Sequence, residues 1–393
     1  MQGSFFRLAL VLGLVSAVGP FAIDMYLPAL PTIGQTLGAS PGAVQASLIV
    51  FFLALGMGQV IYGPVSDMVG RKPPLYFGVA LFIVGSIGCA LAPTVEALIA
   101  LRFLQGLGAC AGMVVPRAIV RDLHTGNDAA RLMSMLMLVF SVSPILAPLA
   151  GSLLIEAAGW RAVFWAVAVT GVLATVLLAT SLPETRAPAD RATSTVNGAL
   201  QAYGLLLRDR RFLGLSLIGG FGIASFFAYL ANSSFVLIDH YGLSPRQYSV
   251  AFAANAASFI GVSQLTSRLG MRFGLAPMVK LAVVAYAAVM AATLLLQLAG
   301  VDSLAVMLAL LFVGYGFLGL VVPASMVLSM DDHGAIAGTA SALGGTLHFV
   351  AGIAVMGLLS PFANGAPVPM LVGIATSAAI AMVLALRTLR RPR

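Results

Sequence analysis

GPVSDMVGRK, residues 63–72, separates two long apolar runs at about 43–65 and 74–92. Gly63 and Pro64 read as the end of one helix and Gly70 as the point where the backbone reverses, while Arg71 and Lys72 hold the turn on the positively charged side of a membrane. So short a polar connection between two apolar runs joins antiparallel membrane-spanning helices. Working outward from it, apolar runs bounded by Gly, Pro or charge place further spans at roughly 5–30, 96–119, 130–154, 160–181, 212–238, 246–269, 275–298, 302–328, 335–361 and 367–387.

The composition agrees. Of 393 residues, 60% are hydrophobic and 9% charged, and the mean hydropathy is +1.03, far outside the soluble globular range. A β-barrel is excluded because the apolar runs are continuous rather than alternating. The net charge of +8 would suggest nucleic acid in a soluble protein. Here the basic residues lie in short connections, where they set topology, and no nucleic-acid partner is expected. Cys89 and Cys110 both lie inside apolar runs, so no disulfide framework is implied. The N-terminal run reads as an uncleaved first span rather than a signal peptide, because it is long and contains Asp24 and several prolines.

Assigning alternate connections to opposite sides gathers Arg7, Arg71, Lys72, Arg117, Arg121, Arg131, Arg186, Arg191, Arg208, Arg210, Arg211, Arg268, Arg272, Lys280, Arg387, Arg390, Arg391 and Arg393 on one face. The other face receives Arg161 and Arg246. Both termini are therefore expected in the cytoplasm. The longest polar connection, 183–211, carries Glu184 and Asp190 and divides the chain into a bundle at 1–182 and a second at 212–393. Internal repetition supports two halves: MVVP at 113–116 recurs as LVVP at 320–323, with Gly112 and Gly319 preceding, and Ser267–Arg272 reads as an eroded copy of Asp67–Lys72. A duplicated six-span half suits a carrier that exposes a central site alternately to each side.

Asp24 is the one carboxylate well inside an apolar run. Holding it ionised in hydrocarbon costs several kcal/mol, so it faces protein or a water-filled cavity and is able to exchange protons there, unless a structural ion pair holds it. Arg102 is its natural partner: by rise per residue, both lie roughly 7 Å to the same side of the middle of their spans. A snorkelling Arg102 is the other reading. Pro144 and Pro148, with Gly151, put a flexing point or a close helix contact into span 5. Asp122 could reach Arg71; with Gly63, Asp67 and Gly70 this makes a conformational latch, the alternative being a set of solvated charges. Candidate ligand-lining residues are Asp24, Tyr26, Phe51, Met57, Asn232, Phe252, Asn255 and His348.

Other chemistry is not expected. Gly314–Gly319 fits a dinucleotide fingerprint but lies within an apolar span, and Gly38–Gly42 fits a nucleophile elbow outside any strand–turn–helix context. The histidines at 124, 240, 333 and 348 lack metal-ligand spacing, and there is no Walker sequence. No metal, cofactor or enzymatic activity is expected.

Five features together carry a resemblance: Asp24-Met25-Tyr26-Leu27-Pro28-Ala29-Leu30-Pro31, the 63–72 loop, Arg102-Phe103-Leu104-Gln105-Gly106, Pro144 with Pro148, and Ala337-Gly338-Thr339-Ala340-Ser341-Ala342-Leu343. The whole chain resembles the twelve-span drug:proton antiporters of the Bcr/CflA branch (bicyclomycin and chloramphenicol resistance exporters) of the major facilitator superfamily. The resemblance implies an all-α integral membrane fold, with 12 transmembrane helices in two pseudo-symmetric six-helix bundles. It implies proton coupling through Asp24 and Arg102, a latch of the 63–72 loop with Asp122, and span 5 prolines that favour exchange over leak. Its implied substrates are small amphipathic drugs of the phenicol or bicyclomycin kind, exported as protons enter; a bacterial inner-membrane location is expected, and a monomer, since each chain already holds two halves. A metabolite carrier of the same fold is the alternative. Met68 and Pro73 depart from the usual loop residues, implying a weaker latch, and His348 stands where some relatives carry arginine.

Overall fold

The computed structural model describes residues 2–124, 126–188, 191 and 196–389. Asp190, Arg390, Arg391 and Arg393, used above to read the linker and the topology, lie outside the described residues. Every regular element described is helical, and the chain divides into two compact units, Met1–Ala199 and Leu200–Arg393.

The first unit contains α1 (Gln2–Asp24), a 3-10 turn at Leu27–Ala29, α2 (Leu30–Leu37), α3 (Pro41–Val69), α4 (Lys72–Leu91), α5 (Val95–Leu123), α6 (Gly126–Ala158) and α7 (Arg161–Ser181). The second contains α8 (Val196–Arg208, which starts just before the boundary), α9 (Arg210–Ser234), a π turn at Phe235–His240, and α10 (Pro245–Ser263). Then come α11 (Thr266–Phe273), α12 (Leu275–Leu298), α13 (Leu304–Met330), α14 (Ala337–Leu359) and α15 (Pro367–Thr388). Among the described residues, eleven helical stretches are long and apolar enough to cross a membrane, α1 to α2 counting as one. The twelfth, α10, is more polar because it carries Arg246, Gln247, Asn255 and several serines.

Helix starts follow local chemistry. Ser40 and Thr94 accept from Ala43 N and Ala97 N at 3.3 Å, and Ser244 with Gln247 forms a reciprocal capping box. Close packing follows small residues. A Cβ on Gly106 would lie 2.6 Å from the Phe51 carbonyl oxygen, so α5 and α3 pack almost backbone to backbone; Gly319 of α13 meets the Phe259 carbonyl of α10 in the same way.

Three boundaries differ from the sequence reading. α3 runs through Gly63 and Pro64 to Val69, because a proline removes one amide donor without forcing a stop, and the reversal falls at Gly70 (φ +102°). The span expected at 246–269 ends at Ser263; Ser267–Arg272 lies inside the separate helix α11, whose stop is Gly274 (φ +82°). The 183–211 connection contains a helix, α8, whose Leu206 is buried with Phe212, Ala340 and Leu343.

Candidate functional site

The first span breaks at its one carboxylate. Asp24 is the last residue of α1, and the chain then passes through Met25 and Tyr26 into the 3-10 turn, where Pro28 and Pro31 interrupt regular helix bonding. Asp24 is only 6% exposed, and its Oδ2 accepts from Ser143 Oγ of α6 at 3.0 Å. α6 reaches this break because Gly151 has no side chain: a Cβ there would collide with the Met25 carbonyl. Pro144 sits next to Ser143, and α6 continues unbroken through Pro144 and Pro148.

Arg102 is 0% exposed but does not pair with Asp24, which corrects the expected ion pair. Equal depth along two helices leaves their facing directions open, and Arg102 faces aromatic rings instead. Its guanidinium carbon stands 4.1 Å from the Phe51 ring centre, 4.6 Å from Tyr26 and 6.0 Å from Phe164. Nη1 donates to Gln105 Oε1 (2.6 Å) and to the Ala22 carbonyl (3.2 Å), while Nε and Nη2 make no hydrogen bond. Donor accounting fixes the surrounding network. Ser86 Oγ donates to the Phe82 carbonyl and so accepts from Gln105 Nε2 at 2.7 Å. Ser47 Oγ donates to the Val44 carbonyl and so accepts from Tyr26 OH at 2.8 Å.

At the opposite end of α5, Arg71 is 3% exposed and spends its donors on two carboxylates. Nε and Nη2 donate to Asp122 Oδ2 and Oδ1 at 2.7 and 3.1 Å, a bidentate pair. Nη1 donates to Asp67 Oδ1 (2.7 Å) and Ser66 Oγ (2.8 Å). Sequence reasoning missed the third carboxylate. Glu184, just past α7, accepts from the backbone amides of Arg71 (2.8 Å) and Lys72 (3.1 Å) and so caps the start of α4. Gly70 makes room: a Cβ there would lie 2.7 Å from Glu184 Oε2. Burial opposes ionisation of Glu184, but the amides of Arg186, Arg71 and Lys72 with the Arg191 charge outweigh it and hold the carboxyl below its usual range. Thr185 Oγ1 donates to Asp122 at 3.2 Å. The available signal was position: Glu184 and Thr185 are the first polar residues after a span, where charges of the connection begin. Gly63 contributes only its carbonyl, which accepts from Ser66.

Packing within their own units takes up several candidate ligand-lining residues. Phe51 and Tyr26 are the walls of the Arg102 cage. In the second unit, Phe252 stacks on Tyr229 (5.7 Å, 11°), and Asn255 Nδ2 donates to Tyr229 OH at 2.9 Å. Asn232 donates to the Ala228 carbonyl at 2.9 Å. The candidate ligand-lining positions Tyr26, Phe51, Asn232, Phe252 and Asn255 are thus buried against partners within their own units. Met57 is 47% exposed, and His348 keeps its Nε2 free of any hydrogen bond beside Gly219 and Ser325.

Comparison with known proteins agrees with this architecture. The Major Facilitator Superfamily matches residues 12–356. An uncharacterized MFS-type transporter, YdgK, of Bacillus subtilis is 37% identical over 90% of this chain and 88% of its own. A bicyclomycin resistance protein homolog of Haemophilus influenzae is 30% identical over 94% and 93%. A chloramphenicol resistance protein of Pseudomonas aeruginosa is 28% identical over 89% and 84%. Among solved structures, a D-xylose-proton symporter superposes with a TM-score of 0.75 at 16% identity, covering 98% of this chain and 97% of its own, which speaks for the fold alone. Two helical units, a dozen spans and these relatives together place the chain in the Major Facilitator Superfamily, as a multi-pass membrane transporter of small molecules.

Proposed function

We propose that the protein is a proton-coupled antiporter that exports small amphipathic drugs of the phenicol or bicyclomycin kind. The observation that carries the coupling is Asp24: a buried carboxylate whose partner is the Ser143 hydroxyl and not a cation. Such a group takes up and releases a proton without breaking an ion pair, at a helix break where that change alters how α1 sits against α6. The relatives named for bicyclomycin and chloramphenicol resistance support the substrate class.

In this reading Arg102 positions the end of α1 through the Ala22 carbonyl. Arg71, Asp67, Asp122 and Gly70 latch the inner ends of α3, α4 and α5. Pro144, Pro148 and Gly151 keep α6 closed on the Asp24 break and so suppress leak, while Met57 and His348 remain for substrate contact. The protein works as a monomer in the bacterial inner membrane, with both termini cytoplasmic and with residues 183–211 tethering the halves.

The test is chloramphenicol transport in inverted vesicles under an imposed pH gradient. The wild type accumulates drug as protons leave the lumen, whereas Asp24→Asn keeps drug binding and loses the gradient dependence. Gradient-driven transport by the variant equal to that of wild type would move the proton site elsewhere.

A further inference from the structure

Like Arg102, Arg117 and Arg121 of α5 have no counter-charge among the described residues. They lie one turn apart on one face. The adjacent Asp122 is taken by Arg71, Arg186 and Thr185. The Arg117 guanidinium carbon stands 5.3 Å from the centre of the Phe140 ring of α6, and its buried Nε makes no hydrogen bond. Arg117 is only partly exposed, and side chains on a helix lean towards its N-terminal end. Arg121 is exposed.

The internal repeat supplies a control on what the helix itself needs. Aligning MVVPRAIVR (113–121) with LVVPASMVL (320–328) sets Ala324 against Arg117 and Leu328 against Arg121. α13 builds the same proline-containing helix with Ala324 fully buried, so neither arginine is required by packing. A partly buried guanidinium without a counter-charge is costly, and its planar fork matches oxyanions.

We propose that Arg117 and Arg121 form an anion-recognition site on α5 that takes the carboxylate or phosphate group of an amphipathic molecule, Phe140 orienting the Arg117 fork. The same chemistry is offered by a small amphipathic anion in solution and by the headgroup of an anionic phospholipid. The site is independent of proton coupling at Asp24.

The experiment uses the purified full chain in an uncharged maltoside detergent, titrated calorimetrically with octyl phosphate, dioctanoyl phosphatidylglycerol and octyltrimethylammonium. Wild type is expected to bind at least one of the two anions saturably and not the cation. Arg117→Ala, the residue the repeat itself uses, weakens that binding about tenfold or more, the loss expected when a charge-assisted hydrogen bond goes. Arg117→Lys restores part of it, and Asp24→Asn binds as wild type does, which separates failure here from failure of the antiport reading. Tighter octyl phosphate identifies a solute site and tighter phosphatidylglycerol a lipid site; either supports the proposal. If Arg117→Ala unfolds early, Arg117→Gln replaces it. Absence of saturable anion binding to wild type, or undiminished binding to the neutral variant, overturns the site.

Discussion

Gly70 shows how much one residue can be asked to do. It adopts φ +102°, and the space over its Cα is filled by the Glu184 carboxylate. Gly70→Ala is therefore expected to destabilise the first unit by about 1–3 kcal/mol through backbone strain, with a further loss as Glu184 is pushed from the Arg71 and Lys72 amides. Thermal unfolding followed by the fluorescence of Trp160 and Trp165 measures it, and a variant as stable as wild type would show that the cap contributes nothing. At this scale the sequence was partly legible. Asp24 and Arg102 stand out as charges in apolar runs, but depth along a helix carries no azimuth, so their pairing was misread. The true partner of Asp24, Ser143, lies 119 residues on and is chemically ordinary. The partner of Phe252 and Asn255 was illegible for a related reason: nothing in the sequence ties Tyr229 to them before the helices pack.

Elements were easier to read, because twenty apolar residues bounded by charge leave one structure possible in a bilayer. The exceptions are short amphipathic pieces. α8 sits among Arg and Asp residues and owes its docking to the buried Leu206, which a linear reading of polarity passes over. Just beyond it, Asp209 caps α9 by accepting from Arg211 N (2.7 Å) and Phe212 N (3.2 Å), and its other oxygen meets His333 Nε2 at 2.8 Å. Burial opposes its ionisation, but these partners prevail and hold the carboxyl below its usual range. A carboxyl depressed in the folded state contributes stability that is present above about pH 4, its unfolded value, and is lost as pH falls through the folded value. Acid unfolding of the second unit should accordingly lose part of its pH dependence below about pH 4 in Asp209→Asn, at a cost at neutral pH of about 1 kcal/mol for the weakened cap. Identical acid profiles for both proteins would remove Asp209 from the account.

For the whole molecule, the distribution of arginine gives the clearest expectation. A fluorescent protein fused after Arg393 should mature, and alkaline phosphatase inserted after Gly300 should be active, as cytoplasmic termini and an external connection between α12 and α13 require. The reversed pattern would invert the topology. The repeat of MVVP as LVVP made the two-unit plan legible, since duplication preserves helix-packing residues such as Gly112 and Gly319 after most other identity has gone. What repetition conceals is where the halves have diverged, as at Arg117 and Ala324. Finally, the Glu184 cap has a consequence for biogenesis. The amides it accepts from belong to residues 113 and 112 positions earlier. At ribosomal rates the turn between α3 and α4 waits on the order of ten seconds for its acceptor. Until then those inserted helices share an unfinished hairpin, so the first unit matures only when its sixth span has been threaded, and a nascent chain stopped before Glu184 should be a preferred target for membrane quality-control proteases.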